Sequence, residues 1–273
     1  MRLTAQRRTA VKTMSMSLAL CAASLAFLGS AAAAADLTAA QIAERNAAAR
    51  GGAAAWRAVQ AMTLSGEMDA GGKIDARLPY TLSLKRPHMS RLEIRFDNQT
   101  AVQTFDGKQG WKYRPYLGRT EPEPLTPAEL KSEQATDELD GPLIDAERKG
   151  TRVELAGVDK VEGKDVYRLK LTNASGTSRN LWIDAASFLE VKIDGEPRKL
   201  NGRTHKVAVF FRDYKSVNGL NIPHTLETAV EGVKQTRRIV VKSVAINPKL
   251  EEALFGKPQP GEPAATGSKA AAL

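Results

Sequence analysis

The sequence predicts a mainly β (α+β) protein: one long, strongly curved antiparallel sheet with helices at its N-terminal end and in the middle of the chain. Three observations carry that expectation. From Leu78 onward apolar residues recur at every second position, Gly, Asn, Asp and Pro punctuate those segments at short intervals, and the longer helical stretches lie near the N-terminal end and in the middle of the chain. Sequential strands with short connections favour an antiparallel meander. A sheet of that length must curl or be covered, because its apolar face cannot be left in water.

The first thirty-five residues stand apart. Arg2, Arg7, Arg8 and Lys12 come without an acidic residue and precede an apolar stretch over 14–28, which ends in Gly29, Ser30 and an alanine run to Ala35. This is the layout of a secretory signal peptide, with cleavage before Asp36, and it places the mature protein in the periplasm. The apolar run is short for a membrane span. Arg7-Arg8 with Lys12 resembles a twin-arginine signal, but Ala10 sits where such signals carry a bulky apolar residue, so the export route stays open. Cys21, the only cysteine, falls within the apolar stretch, and a mature chain without it has neither disulfide nor thiol site.

The chain carries 40 Lys plus Arg against 31 Asp plus Glu; four of the basic residues belong to the leader, which leaves a mild excess spread along the strands. A nucleic-acid binder carries its cations in a cluster, so no nucleic-acid partner is expected.

Residues 36–61 are alanine-rich, with Ile42, Trp56, Val59 and Met62 at helical spacings around Gly51-Gly52, which reads as two short helices. The period then changes to two. Leu78, Tyr80, Leu82 and Leu84 alternate with smaller or polar neighbours, and Leu92, Ile94 and Phe96 alternate with Arg91, Glu93 and Arg95. Asp106-Gly107 marks a hairpin between a strand over 101–105 and one carrying Trp111 and Tyr113. Thr126-Pro127-Ala128-Glu129 is a helix start with a capping box and proline in the first turn, and a helical, acid-rich segment runs to about Arg148, broken at Gly141-Pro142.

The second half reads as strands over 153–161, 166–171, 181–184, 189–193, 207–214, 222–230 and 236–246, with turns at Gly163 and 173–176. The connection over 196–203 is long, polar and basic. A short helix over 248–255 closes the domain. The chain thus divides into a signal peptide (1–35), a single domain (36–255) and a Pro/Gly/Ala-rich disordered tail (256–273).

His88, His205 and His224 lie on separate segments without metal-ligand spacing, and no nucleophile elbow, phosphate loop or zinc pattern occurs. No enzymatic activity, metal or cofactor is expected.

A family resemblance is carried by Leu84-Lys85-Arg86-Pro87-His88, by the alternating strand after it, and by the run from Phe105-Asp106-Gly107-Lys108 through Trp111-Lys112-Tyr113 to Pro115. In this order they resemble the periplasmic lipoprotein carrier LolA and the wider superfamily of outer-membrane lipoprotein-sorting proteins. Val161-Glu162-Gly163-Lys164, Trp182-Ile183-Asp184 and the run from Phe211 to Leu220 are similar to the larger members. Each motif is short, and their order carries the weight.

The resemblance implies a LolA/LolB-like incomplete barrel closed by lid helices, holding acyl chains of lipoproteins or lipids in an apolar cavity. Arg86 matches the arginine that latches the lid by hydrogen bonding to its backbone; the plainer reading is an exposed arginine at a strand end. The cavity wall expected on this basis comprises Leu82, Leu84, Leu92, Ile94, Phe96, Trp111, Tyr113, Tyr167, Leu169, Leu171, Val191, Ile193, Val209 and Phe211. The same residues would equally make a packed core. The expected partners are acyl chains and inner- or outer-membrane proteins, with the carrier itself a monomer. An alternative is an envelope-stress sensor or adaptor resembling RseB, which binds a membrane protein and shuttles no cargo.

Overall fold

The computed structural model describes residues 37–71, 74–135 and 139–261. The expected signal peptide, and all of the expected tail from 262 on, lie outside the described residues.

Two helices open the domain, as the alanine-rich stretch predicts: α1 (Ala39–Ala49) and α2 (Ala53–Arg57). Thr38 caps α1 in a full capping box with Gln41, while Gly51 and Gly52, both at positive φ, make the break between the helices. Gly51 also passes so near the Gly219 carbonyl that a side chain has no room.

The strands follow. β1 (Ala61–Gly71), β2 (Ile74–Lys85), β3 (Met89–Phe96), β4 (Gln99–Phe105), β5 (Gly110–Tyr113) and β6 (Glu123–Pro124) precede α3 (Pro127–Ala135). After it come β7 (Arg152–Val161), β8 (Lys164–Thr172), β9 (Ser178–Asp184), β10 (Glu190–Leu200), β11 (Arg203–Val217), β12 (Leu220–Val230) and β13 (Arg237–Ile246). All pairings are antiparallel, and one long-range pairing, β1 with β13, joins two hairpin series into a 13-stranded sheet.

The strongly curved sheet forming an incomplete barrel is not what forms. The strand order runs β6-β5-β4-β3-β2-β1-β13-β12-β11-β10-β9-β8-β7, so the sheet ends in two separate edges, and it is neither closed into a barrel nor strongly curved. The chemistry of the edges explains this. β6 has two residues, one of them Pro124, which has no N–H to offer a further strand. At the other edge β7 carries a bulge between Leu155 and Gly157 that interrupts its ladder. The apolar face is removed from water in part, by covering elements.

Two smaller expectations also change. The helix entered at Thr126 forms with its capping box (Glu129 N donates to Thr126 Oγ1 at 3.3 Å, Thr126 N to Glu129 Oε2 at 2.8 Å) and is described as far as Ala135, but it does not run on to Arg148. Residues 139–150 are successive turns, because Gly141 and Asp145 take left-handed backbone conformations around Pro142. The basic connection over 196–203 is a β-hairpin: Leu200 pairs with Arg203 and Lys199 with Thr204 around an Asn201-Gly202 turn.

Candidate functional site

Alternate residues of a strand point to opposite sides of the sheet, so register decides which side chains share a face. Met62 opposes Leu84, Leu64 opposes Leu82, Leu82 opposes Leu92 and Tyr80 opposes Ile94. In the other half Leu169 opposes Leu181, which opposes Ile193, which opposes Val209. The halves connect through Phe211–Leu226, Leu226–Ile239 and Ile239–Met68. Leu82, Leu84, Leu92, Ile94, Phe96, Tyr167, Leu169, Leu171, Ile193, Val209 and Phe211 therefore lie on one face. Trp111 opposes Thr104 and Tyr113 opposes Val102, which puts both on the other side. Val191 sits at the irregularity between Glu190 and Lys192.

The shared face divides into packed and half-open parts. Leu169, Leu171 and Ile193 are buried in a cluster with Ile42 of α1, Leu143, Leu181 and Ile183, and Tyr167, Val209 and Phe211 pack partly against it. A second cluster joins Ala47, Trp56, Val59 and Ile144 to Met62, Leu220 and Ile222. Leu82, Leu84, Leu92, Ile94 and Phe96 belong to neither cluster and are half-buried.

At the margin of this strip α3 is tied down by polar groups. Ser90 Oγ and Gln103 Nε2 donate to the Glu133 carboxylate at 3.1 and 2.6 Å, and Lys112 Nζ donates to Glu129 at 2.8 Å. Burial acts upward on Glu129, but hydrogen bonds from Lys112 and Thr126 outweigh it and hold its pKa at about 2. On the far side Ser132 Oγ donates to Glu196 of β10 at 2.6 Å, so α3 spans from β3–β5 to β10.

Arg86, at the end of β2, donates through Nε to the Val59 carbonyl at 2.9 Å and through Nη2 to Asp140 Oδ2 at 2.9 Å. Asp140 is fully buried; its other carboxylate oxygen accepts from Lys149, and its carbonyl accepts from Arg50 Nη1 at 2.7 Å. Arg50 in turn lies 3.5 Å from Glu190 and stacks over Trp56, while the Tyr214 hydroxyl donates to Glu190 at 3.0 Å. Burial, with the Glu190 charge beside it, pushes the Tyr214 phenol far above its ordinary range, so it stays a donor. Asp140 thus ties the end of β2 to the 139–150 turns through its carboxylate, and the end of α1 to them through its carbonyl. Asp140, Arg50 and Glu190 escape sequence reasoning; an acidic residue directly before a Gly-Pro break was the one local hint.

A pocket of about 970 Å³ opens where α3 and the 139–150 turns approach β9–β11. Leu171 is the one expected wall residue that lines it; the rest of its lining is mostly polar, including Lys149, Arg179, Lys192, Asp194 and Lys206.

The histidines stay apart. His88 bonds the Glu133 carbonyl, His205 that of Glu231, and His224 that of Ile222. Among the described residues no group of three or more His, Cys, Asp or Glu side chains could hold a metal ion.

Fold and site together define a class: an open antiparallel sheet whose apolar face is partly packed under short helices and partly left half-open beside them. Solved structures specify it further, and the chain has the fold of LolA and lipoprotein-sorting superfamily proteins. A LolA superfamily protein from Nitrosomonas europaea superposes with a TM-score of 0.53 at 16% identity, covering 81% of this chain and 98% of that one. A domain assigned to outer membrane lipoprotein sorting from Vibrio parahaemolyticus gives 0.54 at 15%, covering 79% and 95%. A DUF1329 family protein from Desulfovibrio piger gives 0.54 at 15%, covering 80% and 95%. At such identities the likeness is one of fold. The sequence matches no family model and no curated protein.

Proposed function

We propose that this protein is a non-enzymatic periplasmic carrier that holds acyl chains of lipids or lipoproteins against the half-open strip of its sheet and moves them towards the outer membrane. The observation that carries the reading is that strip. Leu82, Leu84, Leu92, Ile94 and Phe96 share a face with the packed core, yet stand outside both packed clusters and beside α3. Acyl chains gain roughly 0.8 kcal/mol for each buried methylene, so a few covered side chains suffice for affinity. Release then needs a cover that can move. Arg86 fits the role of latch, since it joins the α2 exit, through the Val59 carbonyl, to Asp140 in the turns, and hydrogen bonds of that kind are individually modest.

Native mass spectrometry with lipid extraction on protein from its own periplasm tests the reading. Acyl species should co-purify and be lost in folded Leu92→Asp and Ile94→Asp variants. A protein that is empty in every preparation, and instead captures a membrane protein, would replace the carrier by an adaptor of the RseB kind.

A further inference from the structure

The basic segment over 196–203 has no part in the carrier reading, and the structure gives it a shape. β10 pairs with β9 only as far as Ile193; beyond that point it pairs with β11 alone. The last part of the hairpin therefore leaves the sheet as a two-stranded ribbon, and every residue from Glu196 to Thr204 is exposed. Arg198, Lys199 and Arg203 stand on it, with Lys206 at its root, and from Pro197 to Lys206 there is no acidic residue. None of these four cations forms a salt bridge with a described residue. At the tip Leu200 is 37% exposed, one of few large apolar side chains so open to solvent.

A second tip lies beside the first. The β12–β13 turn is held against the start of β11: Glu231 N donates to the Lys206 carbonyl at 2.9 Å, and His205 Nδ1 bonds the Glu231 carbonyl at 2.9 Å. This turn carries Val233, 42% exposed, followed by Lys234. Two acids lie nearby, Glu196, which accepts from Ser132, and Glu231, which accepts from the Lys206 amide; they keep their charge and are outnumbered by Arg198, Lys199, Arg203, Lys206 and Lys234. Two neighbouring turns thus each present one exposed apolar side chain among cations. That pairing suits an anionic bilayer surface, where cations meet lipid phosphates and a small apolar side chain enters the interface. A soluble amphiphile would need a concavity, whereas these side chains stand on projecting turns.

We propose that the β10–β11 and β12–β13 tips form a docking surface for anionic lipid bilayers. It goes beyond the carrier reading and requires no bound acyl chain. The pocket at the root of the ribbon, lined by Lys192 and Lys206, sits next to the docked end. The surface therefore brings the polar margin of the sheet face to the membrane.

The test is sedimentation of the exported protein with vesicles of phosphatidylcholine alone or mixed with phosphatidylglycerol, over a salt series. Binding should require phosphatidylglycerol and weaken as salt screens the charges. The Arg198→Gln/Lys199→Gln/Arg203→Gln variant should lose about fivefold in affinity per cation, on the order of a hundredfold in all. The Leu200→Ser/Val233→Ser variant should remove most of the binding that survives high salt. The equal-charge control Arg95→Gln/Lys108→Gln/Lys215→Gln, on exposed residues elsewhere, should bind as the parent does. Circular dichroism verifies the fold of each variant. Equal binding to both vesicle types, equal losses in the tip and control variants, or no sedimentation at all would each overturn the proposal. Acyl-chain retention, measured on the same variants, reads the carrier function separately and should be unchanged.

Discussion

Replacing Asp140 by alanine should be among the most damaging single changes to this fold. The carboxylate is fully buried and receives Arg86 Nη2 at 2.9 Å and the Lys149 ammonium. Hydrogen bonds to charged groups contribute about 1.5–3 kcal/mol each, and removing one partner of a buried ion pair costs about 3–5 kcal/mol. The value here falls at the low end for two reasons. Arg86 keeps the Val59 carbonyl and Lys149 keeps the Gly141 carbonyl, and the two cations retain 20% and 13% side-chain exposure, through which water solvates the stranded charge. The expected loss is about 3 kcal/mol for Asp140→Ala, a melting-point drop of roughly 6–12 °C for a domain of this size. Asp140→Asn keeps an acceptor without the charge and should lose about half as much. Urea unfolding gives the magnitude, with an unchanged m-value as the sign that the native state alone is affected. Hydrogen exchange should place the lost protection in residues 139–150 and α2. A loss under about 1 kcal/mol, or one spread evenly over the sheet, would refute the assignment of Asp140 as the tie between these elements.

Two further outcomes follow from the geometry. Leu169→Ala removes a fully buried side chain and should cost about 3 kcal/mol, whereas Leu92→Ala in the half-open strip should cost about 1 kcal/mol; equal losses in urea titrations would mean that the strip is ordinary core. Glu129 is depressed from 4.5 to about 2 in the folded state, so the stability it contributes is complete above pH 4.5 and is lost as pH falls from there through 2. Carboxyl NMR should show that low titration, Lys112→Met should move it back towards 4.5, and α3 should lose exchange protection across the same window.

What could be read from the sequence was local. The helices around Gly51-Gly52, the Thr126 capping box and the Asp106-Gly107 turn depend on residues within a few positions, and Asp106 does accept from the Lys108 and Gln109 amides as such a turn requires. The alternation in β2 and β3 placed Leu82, Leu84, Leu92, Ile94 and Phe96 on one face, and the register agrees. Pairing between distant segments carries no such signal. Arg91 and Glu93 alternate with the apolar positions of β3, yet each is 2% exposed, because the chain returns more than 150 residues later to cover that face. Trp111 and Tyr113 stand on the expected wall through the resemblance alone, and which face they occupy follows only from the β4–β5 register. Barrel closure depended on whether the edge strands meet, and nothing local to Pro124 or Gly157 reports on a partner in the other half of the chain. In the β10–β11 hairpin charge hid the strands, since a ribbon exposed on both sides has no apolar period to read.

The two faces of the sheet are closed in different ways, and the difference says which one can open. On the face opposite the helices, Arg91 donates to Glu93 at 2.6 Å and to the Leu254 carbonyl at 3.0 Å, and Thr104 donates to the Gly256 carbonyl at 2.9 Å beside fully buried Phe255. Lifting that C-terminal segment would strand a buried ion pair and several directional bonds at once, each costing more unmade than it contributes when made. On the helix-bearing face the strip from Leu82 to Phe96 has apolar side chains, whose contacts are non-directional and can be exchanged for those of another hydrocarbon at little cost. The polar ties there lie at the margin, where Glu129 and Glu133 meet water as well as Lys112 and Gln103. An acyl chain entering under α3 would replace apolar contacts with apolar contacts and leave those marginal pairs to water. The same chain on the opposite face would have to displace the 254–256 segment from Arg91 and Thr104. The physics of the two covers therefore directs any exchangeable ligand to the helix-bearing side, the side on which the Arg86–Asp140 tie also sits.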